Sequence, residues 1–322
     1  MQKTKAPPLL QKLDLPTERV DWQEDYRGVT VTIGGHGKKT ESYTEAPRRL
    51  RKTLVFTDIL CLLLASIPFF VCEFGYVQPV HRGFYCHDDS IKYPLLGQET
   101  VSDTMLVSVG ILVTALSIAV GESYRIRFLH QSSRSFVSNP YVATLYKEIG
   151  VFLFGCTVGQ SLTNIAKLSI GRLRPHFLAA CQPDFTHLNC SVGYVEEYTC
   201  TGGLSIVKEA RKSFYSGHAS FAMYTMVYLV FYLQARFTWR GARMLRPVVQ
   251  FILVMLALYT GFTRVSDYRH HPSDVVVGHV QGLLVAYWVA FHISGMFRYK
   301  TLKSSSPPPQ LESPDSNSHT NC

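Results

Sequence analysis

The chain has 322 residues, of which 47% are hydrophobic and only 17% charged, against roughly 25% charged in an average globular protein. It carries 19 Phe and 18 Tyr, and its formal net charge is +9. These values exclude a disordered chain, a disulfide-rich miniprotein and an ordinary soluble domain. The basic residues sit beside apolar segments rather than in one tract, so they read as topology signals and not as a nucleic-acid surface.

Residues 1–52 are polar, with Pro7-Pro8 and Gly34-Gly35, and read as a mostly disordered tail. Six apolar stretches follow, at residues 53–72, 105–120, 149–165, 219–235, 247–262 and 275–297. A bilayer crossing takes about 17–25 apolar residues. The second and fifth stretches are somewhat short, but their neighbours favour six transmembrane helices. The runs are continuous and lack two-residue alternation, which argues against strands. Asp58 lies inside the first stretch, about 9 Å from its start. That shallow depth favours an interhelical hydrogen bond over a functional charge. Residues 298–322, with Ser304–Pro309, read as a second disordered tail.

Lys and Arg counts set the orientation. Arg48, Arg49, Arg51 and Lys52 precede the first stretch. Arg125, Arg127, Arg134 and Lys147 lie between the second and third. Arg236, Arg240, Arg243 and Arg246 lie between the fourth and fifth, and Arg298, Lys300 and Lys303 follow the sixth. This places residues 1–52 and 298–322 in the cytosol around a membrane domain spanning 53–297. Loops 73–104, 169–218 and 263–274 then face the lumen or exterior. Asn189-Cys190-Ser191 is a glycosylation acceptor pattern on that side. Cys86, Cys181, Cys190 and Cys200 also fall there, where disulfides persist. The expected bridge is one within Cys181–Cys200.

Ionisable residues gather at the outer ends of the helices. Lys167 and Arg174 lie seven residues apart, on one helix face if the helix continues to Pro175. Arg suits bidentate phosphate binding, and Lys supplies a point charge. Ser216-Gly217-His218 precedes the fourth stretch. Ser is a good N-cap, Gly permits close backbone approach, and free helix-start amides attract anions. Arg264, His270, His271, Pro272 and Asp274 sit between the fifth and sixth. Pro272 suits a first helical turn, and a carboxylate near His270 can fix its tautomer. A metal site built from His218, His270, His271 or Asp274 is the competing reading, but three nearby cations disfavour a metal and favour an anion. Cations, helix-start amides and two histidines make a phosphoryl-transfer set: one His attacks phosphorus, the other protonates the leaving oxygen.

The spaced pattern Lys167-x6-Arg174-Pro175, Ser216-Gly217-His218 and Arg264-x5-His270-x3-Asp274 resembles the signature of the type 2 phosphatidic acid phosphatase superfamily, which shares its site with vanadium-dependent haloperoxidases. The flanking stretches 82–86, 171–177, 231–240 and 270–274 resemble animal lipid phosphate phosphatases, the type-3 branch above all. Departures are Thr263 where Ser is usual, Tyr215 where Pro is frequent, and Thr201-Gly202-Gly203 after Cys200 where type-3 members often carry Arg-Gly-Asp. Integrin binding through that tripeptide is therefore not expected. The resemblance implies an all-α integral membrane fold with a haloperoxidase-like core. It implies His270 as nucleophile, Asp274 as its orienting partner and His218 as general acid. Lys167, Arg174, Ser216, Gly217 and Arg264 would form the phosphate cradle. It also implies metal-independent, magnesium-free hydrolysis of phosphatidic acid, lysophosphatidic acid, sphingosine 1-phosphate and ceramide 1-phosphate. The expected location is the plasma membrane, with endoplasmic reticulum, Golgi or endosomal membranes as alternatives; self-association is compatible with the sequence.

Overall fold

A computed structural model describes residues 48–129, 139–186, 188, 190–237 and 243–297. Residues 1–47 and 298–322, which hold nearly all of both expected tails, lie outside the described residues, as does Asn189. The described chain is helical: α1 (Arg48–Glu73), α2 (Asp103–Leu129), α3 (Pro140–Ile170), the short α4 (Phe177–Cys181) and α5 (Leu204–Ala210), then α6 (Gly217–Arg236), α7 (Leu245–Ser266) and α8 (Pro272–Trp288), which runs into a π-helical turn, Val289–Ile293. Two residue pairs, β1 (Phe84–Tyr85) and β2 (Tyr194–Val195), form a small antiparallel ladder.

Five segments, within α1, α2, α3, α7 and α8 with its π turn, are long and apolar enough to cross a membrane. At 27 residues, α2 rises about 40 Å, more than the ~30 Å hydrocarbon core. Their outward faces carry Leu63, Leu116, Phe251 and Leu284, each more than half exposed, as a lipid-facing surface requires. The remaining long helix, α6, is the fourth expected span. Its hydropathy is lower because α2, α3, α7 and α8 pack around it, so its polar groups meet protein rather than lipid. Tyr224 donates to the Phe152 carbonyl at 2.7 Å and Tyr232 to Glu122 at 3.1 Å. Arg236 donates to Glu148 at 2.9 Å. In the outer helices, Tyr146 donates to Asp58 at 2.9 Å, the interhelical bond expected of that acid.

Two glycines set the distance between α6 and α8. A Cβ at Gly278 would come within 2.6 Å of the Ser216 carbonyl oxygen, and one at Gly282 within 2.3 Å of the Ser220 carbonyl oxygen. Small residues one turn apart let helix backbones approach closely in membranes. Here that approach brings the first turn of α6 against the first turn of α8, and the Ser216 amide donates to the Asp274 carbonyl at 3.1 Å.

A second, smaller core lies over the same end of the bundle, built from Phe84, Ile91, Leu173, Phe177, Ala180 and Ala210. It is stapled by two disulfides, Cys181–Cys200 and Cys86–Cys190. The expected bridge within residues 181–200 thus joins Cys181 to Cys200. Cys190, which lies within the same stretch, bonds Cys86 instead. The ladder explains why: Phe84 pairs with Val195 and Tyr85 with Tyr194, which carries Cys86 to the second loop.

Candidate active site

Lys167 projects from the last turn of α3. That helix stops at Ile170 because Gly171 takes a left-handed φ of 59° and its amide bonds the Lys167 carbonyl. The helix therefore does not continue to Pro175, and Arg174 does not share a helix face with Lys167 as the spacing suggested. Arg174 is reached through an extended segment instead, its amide held by the Ala210 carbonyl at 2.8 Å. Both side chains nonetheless line one cavity of about 750 Å³, together with Gly217, His218, Arg264 and His270. Residues from three separated stretches thus converge at one end of the bundle.

Ser216 caps α6, its fully buried Oγ accepting from the Ala219 amide at 3.3 Å. Gly217 sits where a Cβ would lie 3.3 Å from the Lys167 ammonium, so the absent side chain leaves room beside that cation. Pro272 occupies the first turn of α8, with His271 as N-cap and Asp274 reciprocating in a capping box.

His270 is 3% exposed. Its Nδ1 lies 2.7 Å from the Ser213 carbonyl oxygen and 3.9 Å from the Asp274 carboxylate. The acid expected to orient the ring is thus close, but the direct hydrogen-bond partner is a backbone carbonyl. Asp274 itself is fully buried. It accepts from Arg172 at 2.6 Å, from the Ser213 hydroxyl at 2.6 Å and from the His271 amide at 3.1 Å. It therefore holds the residue that holds His270. Burial, reinforced by Arg174 and Lys167 and opposed by Asp274, pushes the His270 imidazole down to about 3. The ring is neutral at physiological pH, the form in which an imidazole nitrogen is nucleophilic.

Carboxylates that sequence reasoning did not single out offset the cations. Glu209 bonds Arg174 at 2.5 Å and Lys212 at 3.3 Å. Burial alone would raise its carboxyl, but Arg174, Lys167 and Lys212 outweigh that and draw it down to about 2. Glu99 bonds Arg264 at 2.9 Å and Arg269 at 3.2 Å, and Asp267 bonds Arg264 at 2.9 Å. The local cue for Glu209 was an acid set among Lys208, Arg211 and Lys212; Glu99 stood in a loop with no pattern to mark it. Even so, the Nε–H groups of the buried Arg174 and Arg264 have no acceptor among the described residues, and an unpaired buried donor costs about 1–3 kcal/mol.

His218 is 8% exposed. Its Nε2 lies 3.1 Å from the Val101 carbonyl oxygen and its Nδ1 3.5 Å from Asp103. Among the described residues, no group of three or more His, Cys, Asp or Glu side chains is arranged to hold a metal. Below the polar rim the cavity continues between α1, α2 and α3 along Leu63, Phe70, Ile111 and Leu153. From Lys167 to Leu153, fourteen residues along α3, the groove descends about 21 Å, further than the ~15 Å of hydrocarbon in one leaflet.

The PAP2 superfamily profile matches residues 148–296, which contain all three motifs. Phospholipid phosphatase 1 of Mus musculus is 47% identical over 263 residues, covering 80% of this chain and 92% of the relative. Phospholipid phosphatase 2 of Homo sapiens is 51% identical over 248 residues, covering 77% and 85%. The Rattus norvegicus phospholipid phosphatase 2 is 49% identical over 254 residues, covering 79% and 91%. These relatives are of types 1 and 2, so they do not single out the type-3 branch. No solved structure matches the chain. With its motifs, their convergence on one cavity and relatives of this identity and coverage, the chain belongs to the PAP2 superfamily.

Proposed function

We propose that this chain is an integral-membrane phosphatase that hydrolyses the phosphomonoester of lipid phosphates. The observation that carries the reading is a single cavity with a charged end and an apolar end: Lys167, Arg174 and Arg264, partly offset by Glu209 and Glu99, beside His218 and His270, leading into a groove lined by Leu63, Ile111 and Leu153. A phosphate at the charged end would keep its hydrocarbon tail out of water, and each buried methylene contributes about 0.8 kcal/mol. A water-soluble phosphomonoester gains nothing from the groove.

In this account α6 completes a set of six spans, and the site opens away from the cytosol. His270 Nε2 attacks phosphorus. The bond to the leaving oxygen breaks, and that oxygen takes a proton from His218 Nε2. Lys167, Arg174, Arg264 and the amides at the start of α6, behind Ser216 and Gly217, hold the phosphoryl oxygens. Water then attacks the phosphohistidine with His218 as base, which returns the proton to His218 and frees inorganic phosphate. Cations do here what a metal would do elsewhere, so the reaction is metal-independent. Phosphatidic acid, lysophosphatidic acid, sphingosine 1-phosphate and ceramide 1-phosphate all present the required headgroup on a lipid tail. The plasma membrane, with the site outside, is the proposed location.

The test is phosphate release from lysophosphatidic acid in detergent micelles with a chelator present. Wild type should retain activity and be inhibited by vanadate, and His270→Ala should be inactive. Full activity in His270→Ala would overturn the nucleophile, and loss on chelation would overturn metal independence.

A further inference from the structure

We propose that Asp103 is a positioning residue for His218, supplied by the first luminal loop. This rests on the phosphatase reading above and adds a member to the site that none of the three motifs contains. Asp103 precedes the profile match at residues 148–296 and stands in the first turn of α2.

Both acceptors that face the His218 ring come from one short segment. The Val101 carbonyl oxygen is 3.1 Å from Nε2, and Asp103 Oδ1 is 3.5 Å from Nδ1. The segment is anchored on the third motif. Glu99 bonds Arg264 and Arg269, while the Thr100 amide and hydroxyl donate to Asp267 at 2.9 and 2.8 Å. The strap is thus fixed by residues next to the nucleophile, and it ends on the general acid.

The chemistry divides the two contacts. A general acid must present one N–H to the leaving oxygen while its other nitrogen is held. His270 shows the holding half of this arrangement: its Nδ1 is on the Ser213 carbonyl, which leaves Nε2 free to attack. In His218 the Asp103 carboxylate stands 3.5 Å from Nδ1, at ion-pair distance, and favours a proton there against the neighbouring Arg264. The incoming leaving oxygen replaces the Val101 carbonyl at Nε2. As the P–O bond breaks, the Nε2 proton passes to that oxygen, and His218 becomes neutral with Nδ1–H still beside Asp103. The Asp103 side chain is 89% exposed, so its pull is screened by water and its effect is moderate.

The experiment compares kcat/KM of Asp103→Asn with wild type on two substrates. Lysophosphatidic acid has an alkoxide leaving group that needs a proton; p-nitrophenyl phosphate has one that does not. The expected loss is about tenfold on the lipid, at the low end of general-acid contributions, with the aryl ester unchanged within about twofold. Asp103→Glu should restore the lipid rate, and Asp103→Asn in a His218→Ala background should cost nothing further. An equal loss on both substrates, no loss on the lipid, or a full tenfold additional loss in the His218→Ala background would overturn the proposal. Wild type that hydrolyses neither substrate would instead overturn the phosphatase reading beneath it.

Discussion

Gly217→Ala separates a stability effect from a catalytic one at a single methyl group. Gly217 opens α6 with Ser216 as its cap and does not occupy the left-handed region, so alanine fits the backbone. Removing glycine's freedom from the unfolded chain stabilises by about 0.4–1 kcal/mol. The new Cβ would lie 3.3 Å from the Lys167 ammonium and 3.5 Å from Thr163 Cγ2. The ammonium ends a flexible side chain and can shift by a few tenths of an ångström, so the fold is not penalised. The phosphate cradle is penalised: the cation moves, and a methyl group stands beside the helix-start amides. A misplacement of about 1 Å costs on the order of a hundredfold in rate, and this smaller shift should cost about tenfold. The assay pairs thermal unfolding in detergent with kcat/KM for lysophosphatidic acid. An unfolding midpoint equal to or above wild type with kcat/KM down about tenfold is the expected result. An unchanged kcat/KM would refute the claim that Lys167 and the start of α6 grip the phosphate.

Three further outcomes follow from the same geometry. Lys167→Met should lower kcat/KM by about a hundredfold with the fold intact, read from phosphate release alongside a melting curve. Asp274→Asn leaves Arg172 and the Ser213 hydroxyl with a weaker acceptor and should destabilise by about 2–3 kcal/mol; it should also lower kcat, because Ser213 no longer holds His270. In the pH profile of kcat/KM, His270 must be neutral to attack, and its folded pKa is depressed to about 3. Protonation of His270 therefore sets in only as pH falls toward 3, and activity should show no acid limb near 6.5 from this residue; an NMR titration of the His270 ring in the wild-type protein with a midpoint near 6.5 would contradict the assignment.

Much of the fold was legible because apolar length is a one-dimensional signal. Five of the six expected spans have the length and hydropathy in the structure. The one remaining, α6, carries Tyr224, Tyr228 and Tyr232 at its buried centre, which dilutes hydropathy where protein replaces lipid. The motif residues were legible because their chemistry is specific: Lys167, Arg174, His218, Arg264 and His270 share one cavity. Partners supplied by backbone were not, since the Ser213 carbonyl on His270 and the Val101 carbonyl on His218 leave no trace in residue type. The helix end at Gly171 was missed because the seven-residue spacing of Lys167 and Arg174 fits a continuous helix as well as it fits a turn. Cys86–Cys190 depended on a two-residue ladder too short to read from alternation.

The central claim is that His270 becomes covalently phosphorylated. Purified protein mixed briefly with excess lysophosphatidic acid, labelled in its phosphate and quenched in alkali, should carry an acid-labile phosphoryl group. Peptide mass spectrometry should place that group on His270, and it should be missing from His270→Ala. A phosphoryl group on another residue, or no covalent label under turnover in an enzyme that releases phosphate, would contradict the account.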